Sequence, residues 1–145
     1  MTDDNAQGPA TGVAPHLTIP SRGGQAAIEF YTRAFGAREV NRYDMEDGRL
    51  GHAMLTLANG GSIYVADEFP EMIGTIGTLA PDSLGGTTVT VALAVDDVDA
   101  WVARARTEGA CTIREPVDEF YGRHAKLRDP FGHVWSLTGP KRDES

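Results

Sequence analysis

The chain has 145 residues, 41% of them apolar, enough to bury the core of one compact domain or of two half-sized modules sharing one. Its formal net charge is −8 and no stretch concentrates Lys and Arg, so the electrostatic footprint of a nucleic-acid binder is missing and nucleic acid is not an expected partner. One cysteine cannot make an intrachain disulfide, no apolar h-region opens the chain, and no run approaches the roughly 18 apolar residues of a membrane span.

These features predict a soluble, cytoplasmic protein with no membrane partner, in which Cys111 is a small buried hydrophobe. Residues 1–12, MTDDNAQGPATG, have nothing to bury and are expected to form a mobile tail, with order starting near Val13. "APHLTIP" then alternates like a strand, and "GGQAAIEFYTRAFG" sets Ala27, Ile28, Tyr31 and Phe35 at helical spacing with Gly36 in the stop position. Three strands follow, over Ala37 to Tyr43, "RLGHAMLTL" and "SIYVAD", punctuated by Asp47-Gly48 and Asn59-Gly60-Gly61, both strong hairpin signals. The first module, 13–67, therefore reads βαβββ.

A segment over 68–86 carries prolines and glycines and too little periodicity to be an element; a loop this long is usually functional or a linker. Asp67 and Glu68, at its mouth, are adjacent in an extended chain, so they point opposite ways and read as loop anchors, not as an acid–base pair. Beyond it, "TTVTVALAV" is a strand, and "DDVDAWVARARTEG" offers Asp96 or Asp97 as N-cap, an apolar stripe of Val98, Trp101, Val102 and Ala105, and Gly109 as the stop. "ACTIREP", "YGRHAKLRD" and "HVWSLTG" complete a second βαβββ module over 87–139, and 140–145 form a C-terminal tail. Gly36-Ala37 recurs as Gly109-Ala110, and Gly60 before "SIYVA" as Gly132 before "HVWSL", an internal repeat with a period of about 73 residues. Two such halves should pair about a pseudo-twofold, and clefts between halves favour ligands.

Tandem βαβββ modules closed by "DPFGHVWSL" resemble the vicinal oxygen chelate superfamily, in its glyoxalase-like and bleomycin-resistance-like branch. "AIEFYTRAFGA", "GRLGHAML", "YVADEFPE" and "EFYGRHAKLRDPFGHVWSL" extend the resemblance over about residues 13 to 139. It implies an α+β fold of the glyoxalase/bleomycin resistance/dihydroxybiphenyl dioxygenase type, a single domain whose paired modules form a cupped mixed sheet. For the reaction it implies little, because one fold hosts isomerases, lyases, dioxygenases, transferases and non-catalytic drug binders. It also implies a homodimer whose cup is built within one chain or from modules swapped between two, with the long loop as the hinge.

Enzymes of this superfamily hold a divalent metal with four side chains, one from the first and one from the last strand of each module. Strand alternation puts Val89, Val91, Leu93 and Val95 against the helices and turns Thr88, Thr90, Ala92 and Ala94 to the cup. By the same rule Trp135 and Leu137 pack inward, while Val134 and Ser136, then Ser62, Tyr64 and Ala66, and Ala14, His16 and Thr18 face the cup. The resemblance then places the four ligand slots on Ala14, Tyr64, Thr90 and Ser136, none of which is an ordinary ligand for zinc, nickel, manganese or iron.

Three histidines keep a relocated site open: His16 faces the cup, His52 shares a face with Met54 and Thr56, and His124 shares one with Lys126 and Arg128. Imidazoles converging in one cleft hold zinc or supply a general base near neutral pH; if they never meet, they are ligand-contacting or surface groups. His133 follows the turn glycine and is expected at the surface. Glu119, Tyr121, Arg123 and Arg128 lie on or beside the seventh strand, as ligand contacts or as a solvated edge. Trp101, Trp135, Phe30, Tyr31 and Phe35 belong to the helix–sheet core.

Two readings stand at this point. One is a small-molecule-binding protein without a metal or other cofactor, its cup lined by His16, Thr18, His52, Tyr64, Thr90, Tyr121, His124 and Ser136. The other is a lyase, isomerase or dioxygenase of glyoxalase type whose divalent metal sits on His16, His52 and His124.

Overall fold

A computed structural model describes residues 12–142 of the chain. Residues 1–11 of the expected 1–12 tail and the last three residues of the chain lie outside the described residues. In chain order the elements are β1 (His16–Ile19), α1 (Gly24–Phe35), β2 (Arg38–Asp44), β3 (Leu50–Thr56), β4 (Ser62–Asp67), a 3-10 turn (Pro70–Met72), α2 (Ile73–Ile76), α3 (Pro81–Leu84), β5 (Thr90–Ala94), α4 (Val98–Thr107), β6 (Cys111–Glu119), β7 (Gly122–Arg128) and β8 (Val134–Gly139). The repeat is therefore real: β1-α1-β2-β3-β4 and β5-α4-β6-β7-β8 are the same α+β module twice over.

Each module folds into its own four-stranded mixed sheet, in the orders β1-β4-β3-β2 and β5-β8-β7-β6. In both, the first and last strands pair in parallel, Thr18 beside Ala66 and Ala92 beside Ser136, and the remaining pairs are antiparallel. The helices cover one face of each sheet. Leu17, Ile19, Val65, Val91, Leu93, Ala125, Leu127, Trp135 and Leu137 join the buried residues of α1 and α4 in a single core that crosses the module boundary. Period-two alternation leaves the other face of each sheet open.

The helices begin and end for identifiable reasons. Asp97 caps α4, its Oδ1 accepting the Ala100 N–H at 3.1 Å. α1 has no local side-chain cap; the carboxylate of Asp67, from the end of β4, accepts the Gly24 N–H at 2.7 Å and the Leu50 N–H at 2.7 Å. A buried anion at a helix N-terminus satisfies an orphan donor and complements the macrodipole. Gly36 ends the helix at φ 68°, where a β-carbon would be strained.

Asp129 ties the two modules together. Its Oδ1 accepts the N–H groups of Phe131 and His133, closing the tight turn before β8, and its Oδ2 accepts the Trp135 indole N–H at 3.0 Å and the Tyr31 hydroxyl at 2.5 Å. Tyr31 belongs to α1 of the first module, so one buried carboxylate locks the turn, the central tryptophan and the partner helix. Phe131 packs its ring against Tyr31 and Phe35 packs against Trp135. Asn59 donates to the Ala94 carbonyl at 3.0 Å and His133 Nε2 donates to the Thr18 carbonyl at 2.8 Å, two further links across the boundary.

Four expectations need correction. The segment 68–86 is not elementless: prolines at the first turns nucleate short helical turns, and Glu68 accepts the Ala80 N–H and the Ser83 hydroxyl, anchoring them. Val89 precedes β5 and is exposed, because the strand begins at Thr90 and not at Thr87 as the alternation suggested. His133 is buried, drawn in by its bond to the β1 edge. Cys111 is exposed, because β6 is an edge strand with solvent beside it.

Removing the Tyr31 hydroxyl deprives a buried carboxylate of one donor, so Tyr31→Phe is expected to lower the unfolding free energy by about 1–3 kcal/mol in urea denaturation, and Asp129→Ala by more. Burial first, then the Asp129 charge, push the Tyr31 phenol well above its usual range. The unfolded chain releases this proton above about pH 10 while the folded chain keeps it, so stability falls as pH rises past that point, and Tyr31→Phe should flatten that limb of the pH–stability curve.

Candidate functional site

The residues that chemistry singles out fall on the two open sheet faces. On the first, His16 pairs with Tyr64 across the parallel β1/β4 ladder and His52 lies on neighbouring β3. The Tyr64 ring meets both imidazoles edge-on, with centroids 6.3 Å from His16 and 5.1 Å from His52. Desolvation, then the proximity of His52, hold His16 below the ordinary histidine value. Thr18, further along β1, is covered by the linker through a 3.2 Å hydroxyl–hydroxyl bond to Thr78. Between the linker, β1 and the approach to β5 lies a groove of about 610 Å³, lined by His16, Thr18, Thr78, Leu79, Val89 and His133 among others.

On the second sheet the register places His124, Lys126 and Arg128 of β7 on the open face with Val134, Ser136 and Thr138 of β8, and Thr90 and Ala92 of β5 complete it. Ala125 and Leu127, between them, are fully buried against the helix. His124 is held by both ring nitrogens: Arg114 Nη1 stands 3.1 Å from Nδ1, and Ser136 Oγ stands 3.3 Å from Nε2. Arg114 in turn pairs with Glu119. Tyr121 sits on the turn between β6 and β7, 56% exposed, its ring centroid 6.3 Å from that of His124 in an edge-on arrangement.

That network fixes a protonation state. A guanidinium can only donate, so Nδ1 must accept, and the proton of the neutral ring sits on Nε2 and is donated to Ser136 Oγ. Burial first, then the charges of Arg114 and Lys126, lower the His124 pKa and favour this neutral ring. The Ser136 hydroxyl therefore accepts from His124 and keeps its own proton for a further acceptor. His124 cannot act as the base that would make Ser136 a nucleophile, since the nitrogen facing the hydroxyl is already protonated.

The structure brings His16, Tyr64 and His52 together on one sheet and His124, Ser136 and Tyr121 on the other. Among the described residues no group of three His, Cys, Asp or Glu side chains stands where it could hold a metal ion. The four slots implied by the fold family carry a methyl group and three hydroxyls (Ala14, Tyr64, Thr90 and Ser136), a donor set that does not fit a divalent transition metal. Arg114 escaped the sequence reading although it holds His124. Its signal was the β6/β7 hairpin, but register shifts on either side of Arg114 break the count that would have set it opposite Lys126.

The chain belongs to the Glyoxalase/Bleomycin resistance protein/Dioxygenase superfamily, whose sequence profile matches residues 14–137. Among its relatives is an uncharacterised protein of Mycobacterium tuberculosis, 42% identical over 132 residues that span 90% of this chain and 75% of the relative. The crystal structure of an Arabidopsis thaliana gene product is 27% identical, with a TM-score of 0.69 over 90% of this chain and 99% of that one. TnmS3, an antibiotic-binding protein from Streptomyces sp. CB03234, shares the fold at 24% identity, with a TM-score of 0.61 over 92% and 99% of the two chains. No helix among the described residues is long and apolar enough to cross a membrane.

His124 is expected to titrate below the ordinary histidine value of about 6.5 and to show the Nε2–H tautomer in long-range 1H–15N spectra. As pH falls below about 6.5 the unfolded chain takes up this proton first, so the stability that His124 contributes is lost as pH drops towards its folded value. Arg114→Ala removes a positive charge and a donor, and should move the His124 titration upwards.

Proposed function

We propose that this protein binds a small organic molecule on the open faces of its sheets and does not transform it. The observation that carries this reading is the Arg114–His124–Ser136 network: it leaves the imidazole protonated towards the serine and the serine hydroxyl free to donate, an arrangement that orients a ligand and lacks a poised base. Thr90, Ala92, Tyr64 and Thr18 add small or neutral surface, which suits an apolar body held by a few hydroxyls. TnmS3 supports the reading at the level of the fold, by showing that it serves an antibiotic-binding protein in Streptomyces.

We further propose a homodimer. On β5, Thr90, Ala92 and Ala94 are exposed in the single chain, and closing a cup over such a face needs a second wall, which a twofold copy supplies. We place the protein in the cytoplasm, a setting in which the exposed Cys111 thiol stays reduced.

Untagged protein prepared without chelator is expected to contain far less than one metal ion per subunit by inductively coupled plasma mass spectrometry. In a thermal-shift screen of small molecules, at least one hit should raise the midpoint, with chemical-shift changes at His124 and Thr90. Near-stoichiometric zinc, nickel, manganese or iron would overturn this reading in favour of a metal-dependent enzyme. Light scattering after size exclusion is expected to give twice the chain mass, and a monomer would remove the dimer.

A further inference from the structure

The chain as a whole is acidic, at −8, yet the open face of the second sheet is not. Lys126 and Arg128 stand on it two residues apart, half-buried and exposed respectively, and neither forms an ion pair among the described residues. Glu119, at the end of the neighbouring β6, is taken by Arg114. Other arginines are engaged elsewhere: Arg123 holds Asp99 and Asp118 on the helix side, and Arg49 holds Asp47 and Glu71 at the linker.

Register sets out what the two cations flank. Lys126 pairs with Ser136 and Arg128 with Val134, while the parallel partners Ala92 and Thr90 lie beyond. Two residues along a strand separate the cation backbones by about 7 Å, so Lys126 stands directly across from Ser136 and Arg128 on the diagonal, on the face to which the serine offers its unclaimed proton. Ala92, exposed on β5 beside Ser136, supplies small apolar surface, and the exposed Tyr121 ring lies beyond His124. The positive field reaches the imidazole: Arg114 and Lys126 both oppose protonation of His124.

We propose that the ligand of this face is an organic anion, a flat apolar body bearing a carboxylate or an equivalent oxyanion, bound by Lys126, Arg128 and the Ser136 hydroxyl. The inference rests on the binding reading above and narrows it to anionic ligands, although the chain as a whole carries a net charge of −8. Two cations and a hydroxyl donor converge on an acceptor-only group. A cationic ligand would meet two unpaired positive charges.

Three isosteric probes separate the possibilities: 2-naphthoate, 2-naphthamide and 2-naphthylmethylammonium, titrated by calorimetry against the full chain. The naphthoate is expected to bind at least about tenfold more tightly than the amide, a preference that shrinks with added salt, and the ammonium compound to bind most weakly. The double variant Lys126→Gln, Arg128→Gln should lose the preference while binding the amide as before, with an unchanged melting midpoint showing that it folds. Equal affinities, tighter binding of the ammonium probe, or no binding of the naphthoate would overturn the anion assignment. The uncharged members of the thermal-shift screen then decide separately whether the chain binds small molecules at all.

Discussion

The Asp129 carboxylate is the constraint on which the arrangement of the two modules depends. A buried anion is tolerable only with its lone pairs filled, and here four donors fill them: two turn N–H groups, the Trp135 indole and the Tyr31 hydroxyl. Because Tyr31 comes from the other module, satisfying that one charge dictates how α1 sits against β8. The aromatic cluster of Phe30, Tyr31, Phe35, Phe131 and Trp135 then packs around a fixed point, and its burial is shared between the modules.

The first module has its own version of the device. Asp67, at the end of β4, satisfies the start of α1 and the start of β3. Its neighbour Glu68 turns the other way and holds the linker at Ala80 and Ser83. Consecutive residues of one extended segment thus serve the core and the linker. Gly132, at φ 95° in the turn before β8, lies against Pro81 so closely that a β-carbon there would stand 2.7 Å from the proline's own. The Asp129 turn, the linker and the edge of β1 therefore form one contiguous assembly beside the groove that His16 lines.

The two open faces differ in character although they descend from one repeated module. The first presents two imidazoles around a tyrosine; the second presents one imidazole locked between an arginine and a serine, with two cations alongside. A histidine accepting at Nδ1 from a guanidinium behaves as a hydrogen-bond donor at Nε2, and this decides the chemistry of the second face more than residue type does. Its local charge also opposes the net charge of the chain, because most of the acidic residues lie on the helices, turns and other strands.

The sequence by itself determined the elements and the faces. The repeated βαβββ pattern, the helix stops at Gly36 and Gly109, the hairpin turns and the inward placing of Trp135 and Leu137 all follow from periodicity and turn chemistry, which are local. It also showed that Tyr64, Thr90 and Ser136 point to the open faces, since alternation needs no partner. Only the tertiary structure decided which residues meet. The burial of His133, the junction of Tyr31 with Asp129 and the hold of Arg114 on His124 join positions from separate elements. In the last case a bulged edge strand also breaks the count along the chain. Whether a histidine is an acid, a base or a fixed donor depends on the atom placed beside each nitrogen, and that placement is a property of the packed sheets.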